Sequence, residues 1–295
     1  MLNYSYPLFR PPAEANNLIL QVTYGCSHNS CSFCSMYKSK KYKVRKLEEI
    51  YKDINILAST YPNAIKLFLA DGDALSIKTS YLLDILKYIK KSFPKIRRIS
   101  TYASAQNILS KNIDQLKELQ ENNLNLFYYG IETGDDELLL KINKGVTSKE
   151  IITSLNMASE VNIKLSTTVI LGLGGKEYSK QHILNTTNII NNTNINYLST
   201  LQLGLEDDVK DKFYGNFDNF TMLNDIEILN EQKDLISKIN PINTKAKIIF
   251  RSNHASNALH LSGVLPRDKD KLILQIKQAL EYGDNAFIPK IFRGF

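Results

Sequence analysis

Residues 26–34 read Cys-Ser-His-Asn-Ser-Cys-Ser-Phe-Cys and hold all three cysteines of the 295-residue chain. A cuboidal iron–sulfur cluster has four iron corners, so Cys26, Cys31 and Cys34 would leave one corner without a protein thiolate. An open coordination position is how a metal centre meets a substrate or cofactor, whereas electron-transfer clusters and structural zinc sites are closed by four ligands. The count therefore points to chemistry. Two plainer readings compete, a Cys3His zinc knuckle completed by His28 and three unrelated buried thiols. Thiols that only pack do not usually crowd into a loop of Ser and Asn. A disulfide framework is set aside because the cysteine number is odd and the chain is large. The opening residues, MLNYSYPLFRPPAEANN, contain no basic segment followed by an apolar one, as a secretory signal would.

Outward from this loop, strand and helix signals alternate. Before it, Leu18 to Tyr24 is apolar and β-branched and stops at Gly25, which predicts a strand whose C-terminal end launches the cysteines. Pro7, Pro11 and Pro12 keep the preceding segment extended. After it come a helix over Lys46 to Thr60, a strand over Ala64 to Ala70, a helix over Tyr81 to Phe93 and a strand over Ile96 to Ala103. A helix from Asn112 to Leu119 leads to a strand from Leu124 to Ile131, and then to helices over Asp136 to Ile142 and Lys149 to Val161, the latter N-capped by Ser148. A strand from Ile163 to Leu171, a helix from His182 to Asn191 and a strand from Tyr197 to Leu205 complete six units. Units of this kind without hairpin signals argue for parallel strands joined by crossover helices.

Beyond Glu206 the pattern changes. Asp207 to Asn219 reads as polar and turn-like, Ile226 to Ile239 as an amphipathic helix, Ile248 to Phe250 as a short strand and Lys271 to Tyr282 as a last helix. The expected organisation is a barrel-type core over residues 1–205 and a cap over 206–295 that does not fold independently. No apolar run is long enough to span a bilayer, and reduced thiols fit a cytoplasmic protein. A net charge of +7 favours anionic partners such as phosphate esters or nucleotides. The densest basic group, Lys38 to Lys46, reads as a solvated face or as an anion-attracting rim.

The cysteine loop resembles that of the radical S-adenosylmethionine (SAM) enzymes. Their loop most often has three residues between the first two cysteines; here there are four, while the two-residue second gap and the aromatic Phe33 are kept. The resemblance covers about residues 5 to 285 and implies an α/β fold, a partial (β/α)6 TIM-type barrel with a C-terminal capping segment. It implies a [4Fe–4S] cluster on Cys26, Cys31 and Cys34, with SAM filling the open iron corner. An electron from the reduced cluster would cleave the sulfonium to methionine and a 5′-deoxyadenosyl radical, which takes hydrogen from the substrate. A reducing partner such as flavodoxin or ferredoxin is expected, with no membrane and no stable nucleic-acid complex.

Ligand groups in such barrels gather at strand C-termini. Where the family has a Gly-Gly-Glu-like turn for the SAM amino group, this chain has Asp71-Gly72-Asp73, and either aspartate is a sensible acceptor for an ammonium. Glu132, in Gly-Ile-Glu-Thr-Gly, resembles an acid beside SAM in several subfamilies, although a strand-end Glu can also simply cap the helix near Asp136. Gly172 opens a glycine turn of the kind against which adenine packs, and Ser104 and Gln202 are weaker candidates for ribose and adenine contacts. Arg251, Asn253, His254 and Arg267 are candidates for gripping an anionic substrate, the arginines through paired donors. Salt bridges to the tail's own acids are the competing reading. Asp71, Asp73 and His254 are the candidates for acid–base work. These segments resemble small, cobalamin-free radical SAM proteins, among them the queuine lyase type, which releases queuine from queuosine 5′-phosphate. Alternatives are another radical oxidation or rearrangement, like that of the anaerobic coproporphyrinogen oxidase relatives, and, from a different class, a zinc-containing RNA-binding module.

Overall fold

A computed structural model describes residues 2–245 and 247–294. The chain divides into two compact units. The first comprises residues up to Asn29, Cys34–Tyr129 and Met157–Leu165; the second comprises Ser30–Phe33, Gly130–Asn156 and the chain from Ser166 onward.

In the first unit the chain forms β1 (Leu18–Gln21), β2 (Thr23–Tyr24), β3 (Lys43–Val44), α1 (Leu47–Thr60), β4 (Lys66–Ala70), α2 (Thr79–Ser92), β5 (Arg98–Ala103), α3 (Ala105–Leu109), α4 (Ile113–Glu121) and β6 (Leu124–Glu132). The last three residues of β6 belong to the second unit. Strand β4 pairs in parallel with β1 and with β5, and β5 pairs in parallel with β6. The helices form because their apolar residues recur on one face: Ile50, Ile54 and Leu57 in α1 and Leu82, Ile85, Leu86 and Ile89 in α2 are all buried. Alternation along the strands sorts Leu67 and Leu69 to one side of the sheet and Phe68 to the other. There Phe68 meets Tyr102 and Tyr128 edge to face, at 5.2 and 6.1 Å between centroids.

The second unit holds α5 (Asp136–Lys141), most of α6 (Ser148–Glu160) and of β7 (Lys164–Leu171), then α7 (Gly175–Asn191), β8 (Tyr197–Gln202), α8 (Asp207–Tyr214), α9 (Asp225–Lys238), β9 (Ile248–Ser252), β10 (Leu261–Leu265) and α10 (Lys269–Tyr282). Strand β8 is parallel to both β7 and β9, and β10 closes the series antiparallel to β9. The fold is therefore α/β with mostly parallel strands, as expected. Among the described residues no helix is long and apolar enough to cross a membrane.

Several local expectations are corrected. The first strand is interrupted at Val22, and its end, β2, pairs antiparallel with β3. Asp207–Tyr214 is a helix, not a turn-like stretch: Val209 and Phe213, four residues apart, bury one stripe, and Asp207 and Asp208 lie in the first turn where the helix dipole favours acids. The helix expected from His182 starts at Gly175. The N-cap of α6 is Thr147 rather than Ser148, since Thr147 and Glu150 exchange side-chain and backbone hydrogen bonds. The polar stretch after Phe250 is a hairpin, because β10 returns along β9.

The units do not divide at residue 205. Strand β9 takes β8 as its partner and α9 packs on α7, so residues 206–295 share strand pairing and helix packing with the chain before them. Expressed alone, this segment should show the circular dichroism and flat thermal melt of an unfolded chain; a cooperative melt would show that it is a domain.

Candidate active site

Strand β4 ends on Asp71-Gly72-Asp73, and the two aspartates have opposite surroundings. Asp71 is fully buried. Its Oδ2 accepts from Lys40 Nζ at 2.7 Å, Gln21 Nε2 at 3.0 Å and the Gly25 N–H at 3.2 Å. Lys40 also donates to the Ser5 and Pro7 carbonyls, at 2.8 and 2.5 Å. The basic group after the cysteines is thus not simply a solvated face or rim, for Arg45 is buried too, on Asp53 at 2.7 Å. Asp73 accepts from the Ser27 N–H at 3.3 Å and from the Ser27 hydroxyl, and from the Asn107 side chain. No lysine or arginine makes an ion pair with it among the described residues. Burial therefore pushes its pKa up, with Lys111 acting only from a distance. Lys111 Nζ instead donates to the Leu75 carbonyl at 2.8 Å. Between the aspartates, Gly72 faces the Tyr37 ring: a Cβ there would lie 2.4 Å from Cε2. Ser104 caps α3 through a reciprocal bond with Asn107.

Cys26 and Cys34 belong to the first unit and Cys31 to the second; all three are half-buried and in no disulfide. The Ser30–Phe33 segment is fixed by a Ser32 N–H bond to the Ile142 carbonyl at 2.9 Å and by Lys212 Nζ on the Ser30 carbonyl at 3.2 Å. Phe33 lies under Lys144 Nζ, 5.9 Å from its ring centre. In the first unit Tyr37 is buried, and its hydroxyl has no hydrogen-bond partner among the described residues. Desolvation keeps its proton on, helped by Tyr102, Asp71, Cys26 and Cys34.

In the second unit Glu132 ends β6 with φ +59°, a left-handed conformation that a Glu adopts only when its surroundings impose it. Its carboxylate meets Lys144 Nζ at 2.8 Å. The cap of α5 is Asp135, which accepts from the Leu138 N–H at 3.0 Å. Glu132 is therefore not a helix cap. Gly172 has φ +76°, and its N–H donates to the Glu231 carboxyl at 3.2 Å. Glu231 and His182 are buried together, His182 Nε2 lying 3.4 Å from Glu231 Oε1. Desolvation raises Glu231 to about 8 and lowers His182 to about 4, so both are neutral at pH 7. Gln202 donates from its backbone N–H to Ser256 Oγ at 3.2 Å, while its Oε1 is buried without a partner.

The tail residues differ in what they are paired with. Arg267 is exposed and chelates its neighbour Asp268 at 2.7 and 2.9 Å, the self-pairing that competed with a substrate role. Arg251 is exposed on β9 and donates to the Phe250 carbonyl; Asn253 is exposed. His254 is half-buried, with Nδ1 at 2.9 Å from Ser256 Oγ and its pKa lowered by desolvation.

The model of the Radical SAM superfamily matches residues 20–188, more than half of the chain. The protein belongs to the radical SAM superfamily. Among curated relatives, the heme chaperone HemW of Bacillus subtilis is 27% identical over 136 residues, 45% of this chain and 36% of HemW. The tRNA-2-methylthio-N(6)-dimethylallyladenosine synthase of Lachnoclostridium phytofermentans is 24% identical over 181 residues, 58% of this chain and 38% of that one. The chain thus spans less than half the length of these relatives. Among solved structures, the coproporphyrinogen III oxidase HemN of Escherichia coli superposes with a TM-score of 0.56 at 14% identity, over 95% of this chain and 71% of its own. That likeness shows the fold, the partial barrel of radical SAM enzymes.

The cofactors of this radical SAM enzyme are accordingly a [4Fe–4S] cluster and SAM. The donor set fits the cluster, since three half-buried cysteines are present and no disulfide consumes their sulfurs. Among the described residues no three His, Cys, Asp or Glu side chains converge to hold a single ion, whereas a cuboidal cluster takes one thiolate at each of several separate irons. Sequence reasoning missed Lys40, Tyr37, Lys144, His182 and Glu231, because which charge or hydroxyl is buried beside which partner carries no short-range signal. The Glu231–His182 pair has a pH signature. Between pH 4 and 6.5 the neutral His182 makes stability rise with pH, while from about 4.5 to 8 the protonated Glu231 makes it fall, so above pH 6.5 only the second slope remains. Denaturant melts should lose stability between pH 6.5 and 8, by up to about 2 kcal/mol. Glu231→Gln should abolish that slope; an unchanged slope would rule out a raised Glu231.

Proposed function

We propose that this radical SAM enzyme takes hydrogen from a small anionic substrate and that Asp73, not Asp71, receives the ammonium of SAM. Bound and reduced, the cluster and SAM supply hydrogen-atom abstraction. The observation that carries the assignment is the contrast between the aspartates. Lys40 already neutralises Asp71, whereas Asp73 is buried with hydrogen bonds but, among the described residues, no ion pair, and so has an unmet demand for a cation. Ser27 and Asn107 orient its carboxylate. Glu132, held by Lys144, and the Gly172 turn, held by Glu231, complete the proposed SAM contacts together with Phe33, Gly72 and the unpartnered Gln202 Oε1. Ser104 contributes by orienting Asn107.

For the substrate, the reading we put forward is queuosine 5′-phosphate, with release of queuine in a cytoplasmic salvage reaction and electrons from flavodoxin or ferredoxin. The net charge of +7 supports an anionic nucleotide. Of the two candidate arginines, Arg251 is the one not tied to an acid among the described residues, and Asn253 and His254 follow it in the chain. His254 is neutral near pH 7 and thus able to accept a proton. Arg267 is left out because Asp268 occupies it. The HemW relatives favour a second reading, haem handling, which a haem titration would reveal as a Soret shift.

Two measurements test these assignments in anaerobically reconstituted, dithionite-reduced enzyme. Asp73→Asn should keep about four irons per chain yet weaken SAM binding by roughly tenfold or more, the loss of a charge-assisted contact. Equal SAM affinity in the variant would return the role to another group. Wild type given SAM and queuosine 5′-phosphate should yield 5′-deoxyadenosine and queuine; 5′-deoxyadenosine without queuine would keep the chemistry and reject the substrate.

A further inference from the structure

Tyr37 lies three residues beyond Cys34, outside the cysteine spacing and the acidic turn. Its position is nonetheless closely determined. The ring lies against Gly72, where no side chain would fit, and Phe9 packs edge-on to it at 5.4 Å between centroids. Its carbonyl accepts from Asn29 Nδ2 at 2.9 Å and from the Lys40 N–H at 3.0 Å, so the backbone is pinned as well. Only 4% of the residue is exposed, and its hydroxyl is buried with no partner among the described residues.

An unpartnered buried hydroxyl costs about 1–3 kcal/mol, so it calls for an acceptor. The obvious protein acceptor does not serve. Asp71 Oδ1 is buried nearby and is itself without a partner, while Asp71 Oδ2 is filled by Lys40, Gln21 and Gly25. Tyr102, Cys26 and Cys34 also act electrostatically on the phenol, and two of these are the proposed cluster ligands. Sulfide and thiolate sulfurs are hydrogen-bond acceptors, and donors to them are among the factors that set the potential of a cluster.

We propose that the Tyr37 hydroxyl donates a hydrogen bond to a sulfur of the [4Fe–4S] assembly and thereby raises its reduction potential. Reduction adds negative charge to the sulfurs, so a fixed donor stabilises the reduced form more than the oxidised one. The same contact satisfies the phenol, and Gly72 leaves the room in which the ring lies against the turn.

The test is an EPR-monitored redox titration of full-length Tyr37→Phe, reconstituted anaerobically, beside the wild type and in the absence of SAM. Reduction of the variant should be about tenfold less favourable, a potential lower by about 59 mV. Equal potentials at equal iron content and equal circular dichroism overturn the proposal. Should Tyr37→Phe load less iron, 3-fluorotyrosine placed at position 37 alone keeps the ring and strengthens the donor. Its potential should then move upward, and no movement overturns the proposal. A wild type that binds no cluster would be a different failure, striking the cofactor assignment itself.

Discussion

The buried ion pair between Lys40 and Asp71 is the constraint on which the first unit's share of the site depends. One carboxylate oxygen gathers the ammonium that also holds the Ser5 and Pro7 carbonyls, the Gln21 amide at the end of β1 and the Gly25 N–H just before Cys26. The N-terminal segment, the launch point of the cysteines, the chain after Cys34 and the turn after β4 are thus bound to a single atom. Burying two charges is expensive, and removing one partner of such a pair typically costs about 3–5 kcal/mol because the other is left uncompensated. The pair acts on geometry more than on net stability, since it defines where the first cysteine leaves the sheet.

With Asp71 committed to structure, Asp73 is the aspartate we propose for SAM. Two residues of the same type, separated by one glycine, differ because one faces a lysine and the other faces hydroxyl and amide donors. Hydrogen bonds orient a carboxylate without cancelling its charge, which suits a group that must meet a cationic ligand. Gly72 serves the same division: without a side chain it lets Tyr37 close over the turn.

The second unit uses a different device. Gly172 turns left-handed after β7 and gives its N–H to a buried acid that desolvation keeps protonated, with a neutral histidine beside it. A neutral pair imposes a smaller desolvation penalty than an ion pair would and still fixes the turn by hydrogen bonding. Glu132 is likewise held off the usual backbone regions, with Lys144 as its counterion, while Asp135 takes over the helix cap.

Much of this was legible in the chain itself. Apolar runs ended by Gly or Pro marked the strands, 3.6-residue stripes marked the helices, and three cysteines in nine residues marked the chemistry, because all of these are short-range patterns. Helix α8 escaped because only Val209 and Phe213 of its eight residues are buried, and β10 escaped because Ser262 and Gly263 dilute its apolar signal. The roles of individual polar residues were a different matter. Lys40 and Lys38 read alike in a basic run, as do Asp71 and Asp73 in an acidic turn, and Arg251 and Arg267 in a polar tail. The sequence by itself marked most of the strands and helices and put forward Cys26, Cys31 and Cys34 as the cluster ligands. Which charges are buried, paired or left available was decided only in three dimensions, because desolvation and ion pairing depend on partners tens of residues away along the chain.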